Sequence, residues 1–315
     1  MVSRSSASKI RERTRTFCKT IANWNDFNKD NLVFSELAEH LKKEYDFIPD
    51  KERVGKGRVY ISRYIAKECY SYLKKEIAMD KKRLFKFSKK CLKYYRTIEN
   101  SSIYYFAMIF LSEYIKDHPE GFKSNIDLFE EWATYDDWKI REGVIYPIIA
   151  GLKKAPDLIL PVLSSWAEHK NENIRRMVAE SLRPKAEVKW LRNPDKNDDV
   201  LNILTKMRMD QSIYVRKAVG NNIKDLSKYM PEKMLDLMES WLERSKIRVY
   251  DKLATEEGLN TEKKRLIWTM KQAMRWIKDR NPEFHGRLED LLGKHYILYF
   301  DEKRNRLATP PSNEK

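Results

Sequence analysis

Apolar residues return every three to four positions along most of this chain, the period at which an α-helix buries one face. Phe34, Leu37, Ala38 and Leu41 share such a face, and Tyr60, Tyr64, Ile65, Tyr72 and Leu73 do so more loosely. Near the other end, Thr261-Glu262 reads as a helix start, with Leu266, Trp268, Met270, Ala273 and Ile277 available for burial before Asp279. Only 9 glycines and 11 prolines in 315 residues argue against an all-β chain full of tight turns.

The helix starts recur. A proline followed by an acid stands at Pro119-Glu120, Pro156-Asp157, Pro231-Glu232 and Pro282-Glu283. Proline suits the first helical turn, and an acid there faces the positive end of the helix dipole. Pro119 to Pro156 is 37 residues and Pro156 to Pro231 is 75, about twice as many. Ten residues after Pro156 and Pro231 stand Trp166 and Trp241, which with Trp132 read as core. A second signature lies between these markers: Asp137-Trp-Lys-Ile-Arg-Glu142, Asn171-Glu-Asn-Ile-Arg-Arg176 and Ser212-Ile-Tyr-Val-Arg-Lys217. In each a capping residue is followed, three and four positions on, by a β-branched residue and an arginine. Two helices per unit at a period in the high thirties predict an all-α, HEAT-like helical-repeat solenoid with a basic concave groove. The polar, breaker-rich stretch from Leu182 through Trp190 to Asp199 is read as an insertion between repeats. The expected division is a disordered N-terminus at 1–8, a basic helical region at 9–95, repeats at 96–300 and a flexible tail at 301–315.

Charge adds a direction. The formal net charge is +16, and residues 1–95 hold 24 Lys and Arg against 12 Asp and Glu. Such a balance predicts a polyanionic partner as readily as a merely solvated surface. Arg141, Arg175 and Arg216 fall at equivalent positions and, with Arg176 and Lys217, would stack along the groove as a phosphate track. The competing reading is that the arginine of each repeat ties neighbouring repeats together. The basic loop Val54-Gly-Lys-Gly-Arg58 resembles a phosphate-gripping turn but lacks the spacing of a P-loop or a dinucleotide fingerprint. Three scattered cysteines and five scattered histidines predict neither a disulfide framework nor a metal site, and no cofactor is expected. Apolar runs such as residues 144–152 fall far short of the roughly 20 residues a bilayer span needs. Without an apolar signal core at Met1-Val-Ser-Arg, the expectation is a cytoplasmic monomer free of membrane contact.

Three stretches carry a resemblance: residues 174–184 (Ile-Arg-Arg-Met-Val-Ala-Glu-Ser-Leu-Arg-Pro), 214–228, and Trp268-Thr-Met-Lys-Gln-Ala-Met-Arg275. Together they resemble the HEAT-like DNA alkylation-repair glycosylases of the AlkC/AlkD superfamily, over about residues 130–295. The Arg183-Pro184 ending and the Val219-Gly-Asn-Asn222 run are closer to the AlkC branch. The resemblance implies hydrolysis of the N-glycosidic bond of N3- or N7-alkylated purines in double-stranded DNA containing alkylated bases. It also implies two carboxylates. Glu142 stands where the parallel signatures have Arg176 and Lys217, and Asp225 closes an Asn-Asn-x-x-Asp run. One departure matters: the AlkD branch has an aspartate where this alignment puts Arg141 and an aromatic where it puts Asn221, so an AlkD-type site is not expected.

An alkylated purine is already cationic and leaves without a general acid. A fixed carboxylate would stabilise the oxocarbenium-like sugar and place a water. Around the acids, Trp138, Arg141, Arg175, Arg176, Arg183, Trp190, Arg216 and Lys217 are the expected DNA-binding residues, with Trp138 and Trp190 able to stack. The structural alternatives are a surface ion pair of Glu142 with Lys139 or Arg141, and of Asp225 with Lys228. At the level of the whole chain the alternative is a catalytically inactive HEAT-like module that binds nucleic acid or a protein partner. A third reading, an RNA-binding scaffold, would use Tyr60, Tyr64, Tyr70 and Tyr72 among the N-terminal basic residues.

Overall fold

In the computed structural model, which describes residues 5–184, 188–247, 261–292, 300–301 and 306–307, all four proline–acid pairs sit at helix starts. The expectations for residues 1–4 and most of the tail after 301 lie outside the described residues. Ser5 is buried and Ser6 caps α1, Ala7–Thr20, by accepting from the Lys9 amide. Among the described residues the fold is all-helical, apart from a two-residue antiparallel pairing of Phe300–Asp301 with Arg306–Leu307.

The helices group into two compact units that divide inside one helix, after Ile159. In the first unit α1 is followed by α2 (Leu32–Asp46), α3 (Arg58–Lys75), α4 (Lys81–Ile98), α5 (Ser101–Asp117) and α6 (Glu120–Lys123), the short helix opened by Pro119. Then come α7 (Ile126–Ala133), α8 (Trp138–Gly143) and α9 (Ile145–Lys154). Alternate helices stack: α3 lies between α1 and α5, and α5 packs on α9. This is the layer arrangement of helix-pair repeats, in which the same helix of each pair meets its counterparts. Helix α5 is apolar nearly all round because it is covered on several sides, and Phe110 joins Phe27, Phe34 and Phe87 in one aromatic core. Residues 9–95 and 96–159 thus belong to the same unit.

Helix α10, Pro156–Trp166, crosses the boundary. The second unit continues with α11 (Glu172–Ser181), α12 (Asp198–Lys206), α13 (Ile213–Leu226), α14 (Pro231–Arg244), α15 (Thr261–Arg280) and α16 (Pro282–Leu292). Here α13 lies between α11 and α15. Trp241 is fully buried and donates its indole N–H to Thr205 at 3.0 Å, joining α14 to α12, and Trp166 and Trp132 are also buried. The described residues between α11 and α12 form the break the sequence indicates, with a 3-10 turn at Lys189–Arg192.

The α13–α15 contact is close because Gly220 has no side chain. A Cβ there would collide with the Cβ of Gln272 and lie 3.3 Å from the Thr269 carbonyl oxygen and 3.4 Å from the Ala273 nitrogen. Two of these neighbours are backbone, so relief requires α15 to shift. Gly220→Ala is expected to destabilise the fold by about 1–3 kcal/mol, read as a lower urea midpoint at unchanged slope. A midpoint equal to the wild type would show that the contact is loose.

His40 tests the first unit. Its ring stacks on Phe17, 4.2 Å between centroids, and its Nε2 lies 3.1 Å from the Thr14 hydroxyl. That hydroxyl donates its proton to the Ile10 carbonyl, so Nε2 carries a hydrogen and donates. Burial, then the positive charges of Arg13 and Lys43, push the imidazole down to about 4. The folded state therefore takes up this proton later than the unfolded one. The stabilisation is complete above the ordinary pKa near 6.5 and is lost as pH falls toward 4, about 3 kcal/mol in all. His40→Gln is expected to flatten the stability curve between pH 6.5 and 4.5 by nearly one proton. An unchanged slope would contradict it.

Candidate functional site

The three recurrent signatures fold alike. Asp137 accepts from the Lys139 amide and Asn171 from the Asn173 amide, both at 2.8 Å, opening α8 and α11. Before α13 the cap is displaced by two residues: Asp210 accepts from the Ser212 amide at 2.8 Å. In every case the arginine turns back over the preceding bend and donates through Nη1 to the carbonyls six and five residues upstream. Arg141 reaches Tyr135 and Asp136 at 2.6 and 2.7 Å, Arg175 reaches His169 and Lys170 at 2.7 and 3.0 Å, and Arg216 reaches Asp210 and Gln211 at 2.7 and 3.1 Å. These carbonyls would otherwise be left without partners where the chain leaves one helix for the next. Arg175 also grips Asp210 with Nε and Nη2 at 2.6 and 2.8 Å, fastening α11 to the bend before α13. Arg216 is only 4% exposed and lies over the Trp268 ring. Arg175 thus ties its repeat to the next, while Arg141 and Arg216 are bonded to the bends that precede their own helices.

In the second unit the candidate side chains Arg183 and Arg176 gather around Asp225 and Glu180. Asp225 lies in the last turn of α13, and Arg183 stands just beyond α11. Arg183 donates to Asp225 Oδ2 from Nε at 3.1 Å and Nη2 at 2.5 Å. Lys224 and Lys228 approach Oδ1 at 2.9 and 3.2 Å. Asn222, fully buried, donates to the Ala179 carbonyl at 2.9 Å and holds α13 against α11 at this level. Burial alone would raise the Asp225 carboxyl, but hydrogen bonds from Lys224 and Arg183 outweigh it and bring it down to about 2. Beside it Glu180 pairs with Arg183 at 3.2 Å and lies 3.8 Å from Arg176, whose guanidinium covers the Tyr214 ring. Arg183, Pro184, Lys224, Asp225, Lys228 and Tyr229 line an open cavity of about 520 Å³. Lys217 is exposed on α13, and Trp190 is half-buried on its 3-10 turn.

Glu142 belongs to the first unit. Pro147 cannot donate to the carbonyl of Gly143 and its ring crowds that carbonyl, so α8 stops at Gly143 and α9 starts afresh. Gly143 also lets the Tyr104 ring lie against α8, where its hydroxyl donates to the Ile140 carbonyl, and Tyr105 donates to Lys139 at 3.1 Å. Glu142 is half-buried; Trp138, on the same short helix, is 58% exposed. Burial, Tyr146 and the charges of Asp137 and Glu142 together push the Tyr105 hydroxyl up to about 12.

The structure thus gathers Arg183, Arg176 and Asp225 in one network and places Glu142, Trp138 and Arg141 on one helix of the other unit. Sequence reasoning missed Glu180, Lys224, Tyr229 and Tyr105 as parts of these surroundings. The i, i+3 pair Glu180–Arg183 was a usable signal; the tyrosines carried none beyond their period. Among the described residues no group of His, Cys, Asp or Glu could hold a metal ion, and no helix is long and apolar enough to cross a membrane.

Residues 61–277 match the family described as DNA alkylation repair enzyme. Among curated proteins, an 83-residue segment is 41% identical to the uncharacterized protein YhaZ of Bacillus subtilis; it covers 25% of this chain and 23% of that one. The fold is similar to AlkD2 of Streptococcus mutans (TM-score 0.52, 18% identity, 76% of this chain and 97% of that one). It is also similar to the Pseudomonas fluorescens alkylpurine DNA glycosylase AlkC bound to DNA containing an abasic site analog. There the TM-score is 0.52 at 17% identity, over 90% of this chain and 66% of that one. At these identities the two structures speak for the fold alone.

Proposed function

Because this chain belongs to the DNA alkylation repair enzyme family, we propose that it is a glycosylase that excises N3- or N7-alkylated purines from duplex DNA. The C1′–N bond breaks with its electron pair going to the purine, which loses its positive charge in leaving. Water then adds to C1′ and gives up a proton, leaving free base and an abasic deoxyribose. No acid is needed for such a leaving group. The demands are negative charge beside the oxocarbenium-like sugar and a held water; Asp225 of the second unit is assigned to them, and Glu142 of the first unit is the other candidate carboxylate.

The observation that carries this reading is the place of Asp225, a carboxylate set among Arg183, Lys224 and Lys228 on the wall of an open cavity. A carboxyl held near 2 by Lys224 and Arg183 is ionised at any physiological pH. It is suited to stabilise a cation and unsuited to donate a proton. The surrounding cations, with Arg176 and Lys217, are assigned to the phosphates that flank the deoxyribose, and exposed Trp138 to stacking against the strand. Arg141, Arg175 and Arg216 are assigned to shaping the helix starts. The partner is double-stranded DNA containing alkylated bases, bound by a cytoplasmic monomer. The deciding experiment is a base-release assay on duplex DNA carrying methylated purines: release of free base by the wild-type chain is expected.

The same carboxylate also favours a second reading. Both oxygens of Asp225 are engaged by cations, which is how a purely structural acid looks. A catalytically inactive nucleic-acid-binding module would bind the duplex in a salt-sensitive manner and release nothing.

A further inference from the structure

The proposed chemistry leaves the basic glycine loop 54–58 unused. It forms one rim of an open cavity of about 970 Å³ in the first unit. Arg53, Arg58, Arg63 and Lys139 line it together with Tyr45 and Tyr105, and no Asp or Glu is among its lining residues. Arg53 is neutralised by Asp50 and tied to the Ile48 carbonyl. The other three have no carboxylate partner among the described residues: Arg58 donates only to the Ser101 hydroxyl, at 2.8 Å, and lies over the Tyr45 ring. Lys139 lies 6.0 Å from the centre of the exposed Trp138 ring. Tyr105 adds no negative charge, since burial and its neighbours keep its hydroxyl protonated up to about 12. Gly57, the residue before α3, offers no side chain to cap it, so the positive end of that 18-residue helix opens on the same cavity. The cations define the site and the helix end adds to it.

Three unpaired cations around one cavity repel one another, and what relieves them is an anion. We propose that this cavity is a second anchor for DNA, in which Arg58, Arg63 and Lys139 hold backbone phosphodiesters of one strand. The lining has no carboxylate to read a ribose, and the loop lacks a P-loop's spacing, so a free nucleotide is not the occupant. Lys139 stands one helical turn before Glu142 on α8. A phosphate seated at Lys139 is therefore placed to bring the neighbouring deoxyribose toward that carboxylate. This last step rests on the proposed glycosylase reading; the anchor itself does not.

The test uses the full chain and a lesion-free duplex, with dissociation constants measured between 50 and 200 mM salt. Each phosphate contact contributes about 0.9 to the slope of log affinity against log salt. The double variant Arg63→Gln, Lys139→Gln is expected to lower that slope by roughly 2, and Lys139→Gln alone, at an exposed position, by about half as much. Arg63→Lys keeps the charge and is expected to keep the slope. An unchanged slope and affinity in a folded double variant would overturn the anchor. So would displacement of the duplex by inorganic phosphate at matched ionic strength in the wild type, if the variants bound duplex as tightly as before: the cavity would then be a free-anion site. Base release plays no part in this readout, so the anchor and the glycosylase reading can fail separately.

Discussion

Asp225→Asn is expected to lower base release from methylated duplex by two to three orders of magnitude while leaving DNA binding in place. Asparagine keeps the shape and loses the charge, so what disappears is the negative potential facing a sugar that becomes positive only in the transition state. Removing one preorganised electrostatic group of this kind costs about 10²–10³ in rate. Binding has no reason to weaken, because Arg183, Lys224 and Lys228 are released from their carboxylate and confront the phosphates with one negative charge fewer. Stability moves as well. The carboxyl is depressed from its ordinary 3.8 to about 2, so its contribution of about 2 kcal/mol is present above pH 4 and vanishes as pH falls through 2. At neutral pH the variant therefore unfolds at a lower urea concentration, and single-turnover rates must be taken well below that midpoint. Glu142→Gln is the companion variant. Two folded variants that bind duplex and release base at the wild-type rate would leave both acids structural.

Arg175→Ala is expected to cost about 2–3 kcal/mol of stability, less than the roughly 3–5 kcal/mol of breaking a fully buried pair, because this one is part-buried. The side chains of Arg175 and Asp210 are 16% and 7% exposed, and their bond is bidentate. Truncation leaves Asp210 with the Ser212 amide and removes the donor to the His169 and Lys170 carbonyls. Lysine at this position does not restore the loss, because an ammonium cannot serve a carboxylate fork and two carbonyls from one place. The measurement separates the two roles of the repeated arginine. A tying arginine lowers the urea midpoint and leaves the salt slope of DNA binding unchanged. A phosphate-track arginine lowers the slope by about 0.9 and leaves the midpoint alone.

Helix positions were legible because burial on one face imposes a period that needs no knowledge of the partner. Proline cannot sit inside a helix without loss, so Pro156, Pro231 and Pro282 reported helix starts directly, and the breaks around Pro184 and Pro194 reported an insertion. Asp225 was identified from a run of five residues that resembles a family, and its neighbour in space, Arg183, from another. Their bond could not be read, because 42 positions separate them. The direction of the arginines was equally hidden. An arginine one turn into a helix can reach outward to solvent or back over the bend, and both leave the same sequence pattern. The choice depends on where the carbonyls of the preceding turn point.

By itself, then, the sequence determined the all-helical repeat architecture, the four proline-marked starts, the strong positive charge and the family resemblance. All of these are local or additive properties of the chain. The tertiary structure alone decided which cations are spent on carbonyls and carboxylates and which remain available. Arg141, Arg175 and Arg216 are bonded to their bends, Arg183 to Asp225, and Arg63 and Lys139 stand without a carboxylate partner among the described residues. The physical reason is that pairing is set by distances of three to four ångströms, and such distances between residues far apart in the chain exist only once the helices have packed.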